Sequence, residues 1–120
     1  AIRNLATVAA AGVKVAITTD HPVVPIELLV LQATLAVRAG LPAETALEAL
    51  TVNPAEILGL DGRVGALAEG RDGDVVMWSG DPLSIDSQVR QVFIGGREVL
   101  RPSETGVDGV DVVERSERFA

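Results

Sequence analysis

Two rhythms of apolar and polar residues run along this chain, and the change between them near Arg63 sets its organisation. Before that point apolar positions fall at helical spacing around one short continuous run; after it they alternate with polar ones between glycines. Leu5, Val8 and Ala9 in the alanine-rich stretch 1–11 predict a helix leading through Gly12 into the apolar run 13–18. That run has the character of a strand covered on both faces, as in parallel sheets, and it stops abruptly at Thr19-Asp20-His21-Pro22. Pro25 suits a first helical turn, because its φ is fixed and it lacks an N–H, and it predicts a second helix that Gly40 ends. Ile26, Leu28, Leu29, Val30, Leu31, Leu35 and Val37 make this helix apolar on nearly every side, so burial on more than one face is expected.

Pro42 and Glu44 predict a third helix through Leu47 and Leu50, with the acid where the helix dipole favours it. Asn53-Pro54-Ala55-Glu56 has the make-up of an N-cap, a proline at N1 and an N3 acid reaching back to the cap amide, and Gly59 can close a short fourth helix. In the second half, strands are expected near 63–67, 74–79, 88–94 and 97–100. Gly95-Gly96 marks a hairpin, since both glycines reach positive φ in a two-residue turn. The tail 102–120 is polar and acidic, and only 110–113 has the make-up of a short strand.

Composition narrows this picture. The chain has 120 residues, 48% of them hydrophobic, with one Trp, two Phe and no Tyr, so it can bury a core and that core must be aliphatic. The longest apolar stretch, 26–39, is broken by polar residues and is shorter than the roughly 20 residues that span a bilayer, so no membrane partner is expected. A net charge of −7 argues against a phosphate-binding surface and hence against nucleic acid. The absence of cysteine leaves no disulfide framework and no thiolate metal site, which together with the lack of a signal-like start fits a cytoplasmic protein. The first residue is Ala1 rather than Met, as expected of a processed or truncated product.

Candidate chemistry gathers where the run 13–18 ends, since functional groups collect at strand ends in parallel α/β architectures. Asp20 reads two ways: as a metal ligand or general base, or as a turn aspartate holding backbone amides before Pro22. His21, the one histidine, could orient substrate or face solvent. Thr18, Thr19 and Asn53 are accounted for structurally, the last as a helix cap. Gly70-Arg71-Asp72-Gly73-Asp74 lacks the spacing of a calcium or phosphate loop and reads as a turn, while Met77 and Trp78 read as sheet packing. One histidine and no cysteine cannot make a typical zinc site, and no nucleophilic triad is visible, so the chain by itself is catalytically incomplete.

Three motifs nevertheless fall in a specific order: 12–22 ending in Thr19-Asp20-His21-Pro22, then Thr51-Val52-Asn53-Pro54-Ala55-Glu56-Ile57-Leu58-Gly59-Leu60, then 63–78 with Glu69-Gly70-Arg71-Asp72-Gly73-Asp74. Over residues 1–101 they resemble the C-terminal part of the amidohydrolase superfamily, most closely its imidazolonepropionase-related members. The resemblance implies an α/β fold: a C-terminal fragment of a (β/α)8 metal-dependent hydrolase barrel plus strands of its small β-sandwich. Residues 1–61 would hold the last barrel strand and helices, 62–101 the sandwich segment, and 102–120 an unassigned tail. It further implies C–N hydrolysis of a cyclic or linear amide, with Asp20 as the proton-transferring residue and a metal ligand, and His21 as a substrate contact. A divalent metal, zinc by family habit, would be held only with ligands absent from this chain, so the fragment alone is expected to be metal-free and inactive. Gly73 stands where the family usually has alanine between the two aspartates. A noncatalytic assembly module built from the same fold is the alternative, with Asp20 only a turn residue. The uncovered apolar helix and lone strand also lead us to expect self-association if the fragment stands alone.

Overall fold

The computed structural model describes residues 2–104 and 109–113. Four helices, α1 (Ile2–Ala10), α2 (Leu29–Arg38), α3 (Ala43–Leu50) and α4 (Val52–Ile57), precede four strands, β1 (Val75–Trp78), β2 (Val89–Ile94), β3 (Arg97–Pro102) and β4 (Val110–Val112). The chain forms two compact units, one made of Ala1–Ala66 with Leu83–Ile85, the other of Leu67–Pro82 and the chain from Asp86 onward.

In the first unit, Pro25 precedes a 3₁₀ turn, Ile26–Leu28, that continues directly into α2. At the far end of α2, Gly40 N–H donates to Val37 O and Leu41 N–H to Ala36 O, both at 3.0 Å, which satisfies carbonyls that the helix end leaves without partners. Pro42 occupies the position just before α3 rather than its first turn. The core is built of small and aliphatic side chains, as the composition requires: Ala33, Ala36, Leu41, Ala46 and Leu83, with Leu5, Ala6, Ala9, Ile17, Val30, Val37 and Leu50 packed around them. Alanines at the contact let the helix backbones approach closely, and Leu41, 1% exposed, is the one large side chain fully buried among the described residues. Thr34 Oγ1 donates to Leu83 O at 3.1 Å and so ties the 83–85 segment to α2.

Burial of α2 on more than one face is not found: Ala33 and Ala36 are buried, but Leu31 and Leu35 remain exposed. The expected strand over 63–67 is also absent. Instead the N–H groups of Arg63 and Val64 both donate to Leu60 O, at 2.9 and 3.0 Å, which winds the chain into turns and removes those amides from any ladder.

The second unit is an antiparallel sheet in the order β1-β2-β3-β4. Gly95 and Gly96, at φ 58° and 77°, form the expected β2–β3 hairpin, with Ile94 paired to Arg97. The hairpin tip is held by the strand-entry residues: Gly95 N–H donates to Asp74 Oδ1 and Gly96 N–H to Gly73 O, each at 2.8 Å. β4 falls within the expected 110–113 stretch and pairs with β3 through Leu100 and Val112. The rest of the tail reading lies largely outside the described residues. Met77, expected to pack in the sheet, is 49% exposed. Among the described residues no helix is long and apolar enough to cross a membrane.

Candidate active site

The run 13–19 joins no ladder among the described residues, so it is not a paired strand. It keeps strand alternation all the same. Val15 and Thr19 are buried and Ile17 half-buried, while Lys14, Ala16 and Thr18 are exposed, so the run is covered on one face rather than on both. Its two edges differ as well. Ile17 N–H donates to Ala49 O at 3.0 Å, Val15 O accepts from Asn53 Nδ2 at 3.0 Å, and Thr19 O accepts from Val24 N–H at 3.2 Å. These groups share one lateral edge of an extended chain, because N–H and C=O alternate sides residue by residue. The main-chain groups of Lys14, Ala16 and Thr18, on the opposite edge, have no hydrogen-bond partner among the described residues.

Asn53 overturns its reading as a cap. α4 begins at Val52 with Thr51 before it, and Thr51 makes no capping bond, its hydroxyl donating back to Leu47 O at 2.7 Å. Asn53 therefore lies inside the first turn, 9% exposed, and its amide reaches across to the extended run. One turn further on, Glu56 forms an ion pair with Lys14. The pair is substantially exposed, so solvent screens it and it contributes little stability.

At the end of the run the backbone turns sharply. Asp20 adopts φ 50°, a left-handed conformation that aspartate tolerates better than most residues, and the His21–Pro22 peptide bond is cis. Asp20 N–H donates to Thr18 Oγ1 at 3.2 Å and Asp20 O accepts from Val23 N–H at 2.9 Å. The main chain is thus engaged on both sides, one of them through the Thr18 hydroxyl. The exposed carboxylate of Asp20 has no partner among the described residues, and the adjacent His21 ring is also exposed. A carboxylate held in an unusual backbone conformation yet free at its oxygens can accept and return a proton.

The donor set falls short of a metal centre. Among the described residues no three His, Cys, Asp or Glu side chains converge, so Asp20 could be one ligand of a metal but the described residues do not make a whole site.

The profile of the amidohydrolase family matches residues 1–99. The crystal structure of an amidohydrolase from Thermotoga maritima superposes with a TM-score of 0.80 at 45% identity, covering 83% of this chain and 26% of that one. The amidohydrolase tasK of Hapsidospora irregularis is 38% identical over 78 residues, 65% of this chain. Adenine deaminase 2 of Bradyrhizobium diazoefficiens is 53% identical over 47 residues, 39% of this chain. The chain spans 8% of the length of each of these two curated relatives. A family match running from α1 into β3, joined to this likeness to a solved amidohydrolase, shows that the chain belongs to the amidohydrolase family.

Proposed function

We propose that the chain supplies the proton-transferring carboxylate, Asp20, to a metal-dependent amidohydrolase that hydrolyses a C–N bond in a cyclic or linear amide, in the manner of imidazolonepropionase-related enzymes. The observation that carries the reading is the end of the 13–19 run: an extended chain with one main-chain edge open, closing on a fixed backbone turn that leaves the Asp20 carboxylate unengaged. An open strand edge calls for a neighbouring strand, and a (β/α)8 barrel supplies one, while the β1–β4 sheet belongs in the proposal to the family's small sandwich.

In the proposed reaction Asp20 takes a proton from the attacking water as its oxygen bonds to the substrate carbon. It returns that proton to the leaving nitrogen as the C–N bond breaks. In the proposal His21, next in the chain and exposed, contacts the substrate. Asp20 would be one ligand of a divalent metal, zinc in the proposal, and the other ligands would come from parts of the whole protein outside this chain; the metal would supply activation of the attacking water. Two of the relatives are adenine deaminases by name, which puts adenine beside cyclic amides among the substrates to test.

The deciding experiment is Asp20→Asn in the whole protein, assayed on imidazolone-type amides, linear amides and adenine. Asparagine tolerates the same backbone conformation, so circular dichroism stays unchanged while turnover falls by about 10²–10⁴-fold. Turnover close to wild type removes Asp20 from the reaction. Failure of the metal-loaded wild type on every C–N substrate favours a noncatalytic assembly module instead.

A further inference from the structure

We infer that Asn53 is a positioning residue for Asp20: its buried amide holds the extended run at Val15 and sets where the end carrying Asp20 stands relative to α4. The inference rests on the reading of Asp20 given above. Asn53 is 9% exposed and uses its amide neither as a cap nor toward solvent. A buried carboxamide destabilises a fold unless it is hydrogen-bonded, and the partner found here is the carbonyl of Val15, 38 residues away in the chain, at 3.0 Å.

Because the partner is a main-chain carbonyl, the bond is indifferent to the side chain at position 15 and specific for register. Sliding the run by one residue would turn the neighbouring carbonyl to the opposite edge and break the bond. Ile17 N–H on Ala49 O engages the same edge two residues on, and Lys14 meets Glu56 from the same helix as Asn53. Between Val15 and Asp20 the chain is extended, about 16 Å at roughly 3.3 Å per residue, and offers little slack. Thr19 is buried, and both main-chain groups of Asp20 are bonded, so a displacement imposed at Val15 is passed on to the backbone that carries the carboxylate. Of the three links, the Asn53 bond is the one that is buried and made by a replaceable side chain.

The test uses the whole protein. Asn53→Asp puts a carboxylate oxygen against the Val15 carbonyl, and Asn53→Ser withdraws the donor without adding charge. Both are expected to lower kcat by about ten- to a hundredfold, as a misplacement on the ångström scale does. KM stays within about twofold, since substrate binding is not the interaction removed. Peptides covering 13–19 should exchange amide hydrogens faster. Thr34→Val, which removes the bond to Leu83 O in the same unit, is the control for stability alone and should lower the melting temperature without changing kcat. If Asn53→Asp does not fold, Asn53→Ser decides. The inference is overturned if a folded Asn53 variant keeps wild-type kcat, or if Thr34→Val loses kcat as steeply as the Asn53 variants do. Asp20→Asn in the same assay separates the two readings: turnover retained there brings down the role of Asp20 and this inference with it, whereas turnover lost there and retained in the Asn53 variants brings down positioning alone.

Discussion

Gly65→Ala tests how tightly the chain leaving α4 folds back on the helix that carries Asn53. A Cβ at Gly65 would lie 2.8 Å from Ala55 Cβ, 3.0 Å from Thr51 O and 3.2 Å from Val52 Cα, in a backbone at φ +93°. Those neighbours are the residue before α4 and the first turn of the helix, main chain and a methyl, with no flexible side chain to swing aside. Positive φ costs an L-residue about 1–2 kcal/mol, and forced overpacking typically about 1–3 kcal/mol, so the sum is about 2–5 kcal/mol. Gly59 is the internal control. It ends the same helix at φ +71°, and a Cβ there meets nothing within 4 Å, so Gly59→Ala carries only the first cost, about 1–2 kcal/mol. Urea titration of the 120-residue chain at one fixed protein concentration measures both variants against wild type. Equal losses for the two variants, or a Gly65→Ala loss below about 0.5 kcal/mol, the range of an unremarkable surface change, would refute the close packing of the 63–66 turns on α4.

In the second unit, Asp74→Ala leaves the Gly95 amide without its acceptor and should lower stability by about 1 kcal/mol, with faster amide exchange confined to the hairpin tip. Wild-type exchange at Gly95 and Gly96 would show that the Asp74 bond does not hold the hairpin. The 120-residue chain made alone should self-associate, because Val13 and Ile26 are 54% and 63% exposed and one edge of the 13–19 run is open. Light scattering at low concentration that reports a folded monomer, without binding of a hydrophobic dye, sinks this expectation.

Elements decided by local chemistry were legible. Gly95-Gly96 makes a hairpin because two adjacent glycines reach the φ values that the turn needs, and Gly40 ends α2 because the next amide, that of Leu41, can then reach back to Ala36. Elements decided by distant partners were not. The alternation at 63–67 satisfies a strand template, but a strand also needs a free edge beside it, and the amides of Arg63 and Val64 are already taken by Leu60. The 13–18 run was legible as extended chain but not as covered on one face only, since that depends on which elements lie against it.

Asn53 shows the same limit at the site. The order Thr51-Val52-Asn53-Pro54 fits two helix frames, one with Asn53 as the cap and Pro54 at N1, the other with the helix already begun at Val52, and proline is tolerated in a first turn in both. Propensity cannot choose between frames that differ by two residues. The bond to the Val15 carbonyl accompanies the second frame, and that carbonyl lies 38 residues upstream, where no local pattern reaches. Asp20 is different: an apolar run that stops on an acid and a proline is visible without knowing its neighbours. What brings the two together is the geometry of the run itself, in which the residue that ends it and the bond that holds it lie on one extended segment. Whatever fixes that segment against α4 therefore also sets where the backbone of Asp20 stands.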